Sequence, residues 1–66
     1  MKELQEFVNN YGLGISKAEL ISKAYYKLSA NHDDIYTIND LYIHIDGTDY
    51  QVIKSKKENR WIVKEF

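Results

Sequence analysis

Two β-rich runs joined by Asp46-Gly47 restrict what this 66-residue chain can fold into more than any other feature. Apolar and polar residues alternate over residues 41–45, and residues 50–53 are again rich in aromatic and branched side chains. An Asp-Gly pair between two such runs favours a two-residue type I′ turn. The sequence therefore predicts an antiparallel hairpin. The cross-strand pairs that this turn implies are Ile45–Thr48, His44–Asp49, Ile43–Tyr50, Tyr42–Gln51 and Leu41–Val52.

A third β-rich run, Trp61-Ile62-Val63, follows a polar connection at residues 55–60 and is expected to pair with the second strand. Residues that face each other across two strands lie on the same side of a sheet. One side of this predicted three-stranded meander is therefore apolar and needs a covering layer. The residues predicted on that side are Leu41, Ile43, Ile45, Tyr50, Val52, Trp61 and Val63.

Two amphipathic helices are predicted before the sheet. Apolar residues at helical spacing indicate a first helix over residues 2–11, and Gly12 stands where a left-handed residue can end such a helix. Ser16 followed by Glu19 is typical of a helix N-terminus: the Ser16 hydroxyl can accept from the Glu19 amide, and the Glu19 carboxylate can accept from the Ser16 amide. A second helix is therefore predicted over residues 17–30.

Residues 38–46 fit two interpretations, because their apolar positions also fall at helical spacing and residues 37–40 resemble a helix cap. We favour the strand, since its alternation is strict and Asp46-Gly47 supplies the turn. The predicted fold class is α+β, with two N-terminal helices packed on a three-stranded antiparallel β-meander in a single domain, residues 1–66. The alternative is a small winged-helix-like unit with three helices and two strands, whose wing is the basic loop 54–60.

Charge and composition narrow the classes of function. The formal net charge of -1 provides no overall field to hold a polyanion, so nucleic-acid binding would depend on a local patch. The chain has no cysteine, begins with a polar, charged segment and contains no long apolar run. We therefore expect a cytoplasmic protein without a signal peptide or membrane segment. Abundant Ile, Lys, Asn and Tyr with no Pro is typical of AT-rich coding sequence and favours a bacterial or phage origin.

No set of residues has the spacing of a catalytic or cofactor motif. The serines lack the context of a nucleophile, and Gly12-Leu13-Gly14 is not a phosphate loop. His44 beside Asp49 is more simply a cross-strand pair than an oriented base. The potential cation ligands match neither a zinc motif nor an EF-hand loop, so we expect no enzyme activity, no cofactor and no metal. These potential ligands are His32, Asp33, Asp34, His44, Asp46 and Asp49.

Two surfaces carry functional hypotheses. The second face of the sheet holds Tyr42, Ile53 and Ile62 with His44, and apolar groups framed by polar ones are typical of protein interfaces. The sequence thus predicts a small non-catalytic interaction module of a phage or other mobile element, with a protein partner or a homodimer. Scattered exposed apolar residues are the simpler alternative for this face. The rival hypothesis is nucleic-acid binding by the basic loop. Its cations are Lys54, Lys56, Lys57 and Arg60.

Overall fold

The computed structural model describes residues 1–66 and confirms the α+β class, with two helices followed by one antiparallel sheet. The sheet has four strands in chain order, not the three predicted. Helix α1 contacts β4 and helix α2 contacts β1, so the two helices lie on one face of the sheet. The elements are α1 (Lys2–Val8), α2 (Lys17–Leu28), β1 (Ile35–Ile38), β2 (Tyr42–Ile45), β3 (Thr48–Ser55) and β4 (Arg60–Glu65).

The central hairpin forms with the predicted turn and register. Asp46 and Gly47 have φ angles of 51° and 89°, and a type I′ turn needs positive φ at both central residues. The prediction was wrong at one end, because β2 begins at Tyr42 and Leu41 lies in the preceding turn with 46% of its surface exposed. The observed pairs are Ile45–Thr48, His44–Asp49, Ile43–Tyr50 and Tyr42–Gln51.

The additional strand, β1, forms a hairpin with β2. Asn39 and Asp40 both have positive φ, and the Leu41 amide donates to the Ile38 carbonyl over 3.0 Å, which closes a tight turn. Asn and Asp tolerate this left-handed conformation better than other non-glycine residues. Residues 38–46 are therefore strand, turn and strand rather than a third helix, and the winged-helix-like alternative is wrong.

The third predicted run, β4, pairs with β3 as expected. Val63 lies opposite Val52 and Ile62 lies opposite Ile53. Trp61 is fully buried, and its indole N–H donates to the Gly12 carbonyl over 3.0 Å. The predicted apolar side of the sheet is thus the side that the helices cover.

Both helices end earlier than predicted. Helix α1 ends at Val8, because the residues after it form i→i+3 hydrogen bonds instead of helical i→i+4 bonds. The Asn10 amide donates to the Phe7 carbonyl, and the Tyr11 amide donates to the Val8 carbonyl. Gly12 does not have the positive φ that the predicted ending requires. Helix α2 begins at Lys17 as predicted and ends at Leu28. The Ser16 hydroxyl accepts from the Glu19 amide over 3.2 Å, but the predicted reciprocal bond from the Ser16 amide to the Glu19 carboxylate does not form.

The core lies between the helices and the sheet and draws on every element. Such a small chain buries a modest fraction of its surface on folding, so individual contacts are a large share of its stability. The buried residues are Leu4, Val8, Leu20, Ile21, Ala24, Leu28, Ile35, Ile43, Ile45, Tyr50, Val52 and Trp61.

The free edge of β4 is partly covered by the side chain of Gln5 in α1. Its Nε2 donates to the Trp61 carbonyl over 2.9 Å, and its Oε1 accepts from the Val63 amide over 2.8 Å. The primary amide therefore pairs with β4 as a neighbouring strand would. An edge strand with unpaired groups invites pairing with another chain, and Gln5 occupies two of these groups in β4.

Candidate interaction site

The sheet face opposite the helices carries large apolar side chains that no element of the fold covers; we call it the outer face. Successive side chains of a strand point to opposite faces, and Ile43 and Ile45 point into the core, so Tyr42 and His44 point outward. The same alternation places Ile53 and Ile62 there, as predicted. The large apolar residues of the outer face are Tyr36, Ile38, Tyr42, Ile53, Ile62 and Phe66.

These side chains form contacts with one another across the strands. The rings of Tyr42 and Phe66 have centroids 4.5 Å apart, and Ile53 lies directly opposite Ile62. Phe66 is 74% exposed, and its amide donates to the Asp49 carbonyl over 2.9 Å, which continues the β3–β4 pairing. The result is a connected apolar strip from one edge of the sheet to the other.

Three members of this strip were not among the predicted interface residues. Tyr36 and Ile38 belong to β1, the strand that the sequence analysis did not identify. Phe66 follows Ile62 and Lys64 in the period-two alternation of β4, and extending that alternation to the last residue would have placed it on the outer face.

His44 lies on the outer face between two carboxylates. Its Nδ1 is 2.7 Å from Asp49 Oδ1, its Nε2 is 3.2 Å from Asp34 Oδ2, and its ring stacks on Tyr36 with centroids 4.4 Å apart. Neutral imidazole has a single N–H, so only the imidazolium donates to both carboxylates. These hydrogen bonds, foremost that with Asp49, raise the pKa of His44 above 6.5, although burial opposes them. The predicted His44–Asp49 pair is therefore a cross-strand hydrogen bond, which is charge-assisted when the imidazole is protonated.

His32 forms a second contact of this kind, which the sequence analysis missed. Its Nε2 lies 2.7 Å from Glu3 Oε1 in α1, and its Nδ1 lies 2.7 Å from Asp46 Oδ2 in the β2–β3 turn. The side chain is only 14% exposed. The hydrogen bond with Glu3, followed by that with Asp46, raises the pKa of His32 above 6.5. His32 thus ties the first helix to the central hairpin.

The potential cation ligands do not assemble into a group that could hold a metal ion. Both ring nitrogens of His32 and both of His44 already face carboxylate oxygens. The acidic residues that face these rings are thus hydrogen-bond partners of the two imidazoles.

The four cations of the basic loop do not converge on one surface. Lys54 Nζ lies 5.5 Å from the ring centroid of Trp61, on the helix-covered side of the sheet. Arg60 Nη2 is 2.9 Å from Glu58 Oε1, so its charge is already paired. Lys56 and Lys57 are exposed in the β3–β4 turn. The predicted nucleic-acid patch is therefore split between two faces and partly neutralised.

The comparisons with known proteins add no assignment to this geometry. No protein-family model matches the sequence, and searches of curated proteins and of solved structures likewise found no match. Neither helix is both long enough and apolar enough to cross a membrane.

Proposed function

We propose that this chain is a non-catalytic protein-interaction module that binds its partner through the outer face of the sheet. The observation that carries the proposal is the connected apolar strip, which lies on the side of the sheet that neither helix covers. An antiparallel sheet with one solvated face normally carries polar residues there. A contiguous apolar patch on such a face is typical of a binding surface.

The composition of the outer face supports this function. Tyr42 on β2 and the Ile53–Ile62 pair on β3 and β4 share this face with Gln51, which lies between Tyr42 and Lys64. Interfaces are enriched in aromatic residues and carry direct hydrogen bonds among their apolar contacts. Burying these apolar residues against a partner would remove from water a surface that the isolated chain leaves accessible.

The proposal is tested by a single charge placed in the strip. Ile62→Asp puts a carboxylate on the outer face directly opposite Ile53, where an interface would have to desolvate it. The matched control is Tyr26→Asp, which removes an exposed aromatic residue, 75% accessible, from the helical side of the molecule. Circular dichroism checks that both variants fold.

Affinity capture from cells of the organism that encodes the chain then gives the readout. Wild type and Tyr26→Asp should retain the same partner, and Ile62→Asp should lose it by at least about tenfold. Equal capture by all three proteins would refute the use of the outer face. We propose a bacterial or phage source for these cells, in keeping with the AT-rich composition.

Nucleic-acid binding through the basic loop is the rival proposal, and the geometry supports it less. Of the four cations, only Lys56 and Lys57 make neither a cation–π contact nor an ion pair, and two phosphate contacts give weak, salt-sensitive binding. Substitution of these two lysines should leave capture of a protein partner unchanged.

A further inference from the structure

We propose that the connector between α2 and β1, residues 29–34, is a pH-sensitive latch. The latch is closed while the imidazoles of His32 and His44 are protonated, and it opens locally when they lose their protons. The proposal concerns a conformational change within the isolated chain, so it does not depend on the proposed function.

One side of the connector is held by its own histidine. The His32 ring lies between Glu3 of α1 and Asp46 of the β2–β3 turn, with 2.7 Å from a ring nitrogen to an oxygen on each side. The backbone is joined at the same place, because the Asp46 amide donates to the Asp34 carbonyl over 2.8 Å. His32 therefore joins the connector to the first helix and to the central hairpin at once.

The other side of the connector is held by a histidine of the sheet. His44 of β2 lies on the outer face, with its Nε2 3.2 Å from Asp34 of the connector and its Nδ1 2.7 Å from Asp49 of β3. Its ring also stacks on Tyr36, two residues after Asp34. Only 14% of the His32 side chain and 15% of the His44 side chain are exposed, so water replaces a lost partner poorly.

The proton decides how many of these contacts can form. Imidazolium donates from both ring nitrogens, whereas neutral imidazole donates from one and turns the lone pair of the other toward a carboxylate oxygen. Neutral His44 keeps the shorter contact, with Asp49, and loses the contact with Asp34. Neutral His32 likewise keeps only one of its two carboxylate partners. Deprotonation therefore releases the connector on both sides.

The other charged groups near the two rings come from both helices, the connector and β4. Lys27 of α2 lines the same small recess as Glu3, and Lys64 of β4 pairs with Gln51 and is therefore diagonal to Asp49. Histidine is the side chain whose ordinary pKa lies between pH 5 and 8, so the two imidazoles are the groups that change charge there. The remaining charged neighbours are the carboxylates of Glu6 and Asp33.

The direction of the pH dependence follows from the hydrogen bonds. The bond with Glu3 is the main cause that raises the pKa of His32 above 6.5, and the bond with Asp49 is the main cause for His44. A pKa that is higher in the closed state stabilises that state fully below pH 6.5, and this stabilisation is lost as the pH rises through the closed-state value. The latch therefore opens on the alkaline side.

Hydrogen exchange of single amides, followed by NMR, tests the proposal. The Asp46 amide reports on the latch, because its hydrogen bond to the Asp34 carbonyl breaks when the connector moves away. The reference is the Leu20 amide, which donates to the Ser16 carbonyl at the far end of α2. After division by the intrinsic exchange rates, protection of Asp46 relative to Leu20 should fall at least about fivefold from about pH 5.5 to about pH 8.5.

Two adjacent substitutions form a matched pair. The amide introduced by Asp34→Asn can either accept from His44 or donate to it, so this contact no longer needs the proton, and the fall in Asp46 protection should shrink by about half or more. Asp33→Asn changes a carboxylate that contacts neither ring, so the full fall should remain. The double variant His32→Gln with His44→Gln carries neither titrating group and should show no fall.

Three results would overturn the latch. Constant protection of Asp46 in the wild type would mean that the connector stays closed, and equal falls at Asp46 and Leu20 would mean that the whole chain opens. A full fall in the double glutamine variant would assign the opening to another group. If that variant does not fold, the wild type decides: NMR titration midpoints of both imidazoles outside the pH range of the fall refute the proposal, and midpoints within it support the latch.

Discussion

Removal of the contact between Gln5 and β4 tests how strongly the first helix is held to the sheet. Gln5→Ala removes two hydrogen bonds between distant parts of the chain, one to the Trp61 carbonyl and one from the Val63 amide, both partly buried. A hydrogen bond of this kind contributes about 1 kcal/mol net, so the free energy of unfolding should fall by about 2 kcal/mol. For a domain of this size, that loss lowers the Tm by roughly 8–16 °C.

Urea unfolding gives the measurement, followed by the fluorescence of Trp61, the single tryptophan, and by circular dichroism. The control is Asn9→Ala, which removes only the exposed hydrogen bond of 2.9 Å from Gln5 Nε2 to Asn9 Oδ1. Gln5→Glu keeps an acceptor for the Val63 amide but places an oxygen against the Trp61 carbonyl, so it should destabilise at least as much as Gln5→Ala. A Gln5→Ala variant within about 0.5 kcal/mol of Asn9→Ala would refute the reasoning.

Two further predictions concern charge. Because the pKa of His32 is raised in the folded protein, its stabilisation is complete below pH 6.5 and is lost as the pH rises through the folded value. The urea midpoint of the wild type should therefore fall as the pH rises above 6.5. His32→Gln should make this fall smaller, and His44 should account for the part that remains. A fall as large as that of the wild type would contradict the stabilising role of protonated His32. In a low-salt mobility-shift titration with duplex DNA, we expect no shift for wild type; a shift that is lost when Lys56 and Lys57 are both replaced by Glu would favour the rival function.

The parts of the fold that could be predicted from the sequence depend on neighbouring residues. Asp46-Gly47 selects its turn through backbone conformations that these two residues tolerate, and the turn then sets the register that opposes His44 to Asp49. The Ser16 cap likewise needs only the amide of Glu19, three residues away. Strand alternation alone assigns Tyr42, Ile53 and Ile62 to the outer face.

The strand β1 could not be assigned in this way. It has four residues, and the segment after it resembles a helix cap as well as a turn, so local preference leaves two conformations of similar free energy. Pairing with β2 decides between them, because the ladder hydrogen bonds and the burial of Ile35 form only in the strand. The position of Leu41 follows from the same pairing. The amide of Leu41 closes the β1–β2 turn, so this residue is not part of the strand, where strand alternation predicted a core position.

Short-range chemistry alone therefore determined the central hairpin, the start of α2, and the apolar character of both sheet faces. Only the tertiary structure decided the fourth strand, the bond between Gln5 and β4, and the placement of His32 between Glu3 and Asp46. These contacts join residues 56, 29 and 14 positions apart. Their partners meet only after the chain has packed, and no local pattern encodes which carboxylate or carbonyl lies within hydrogen-bonding distance at that point.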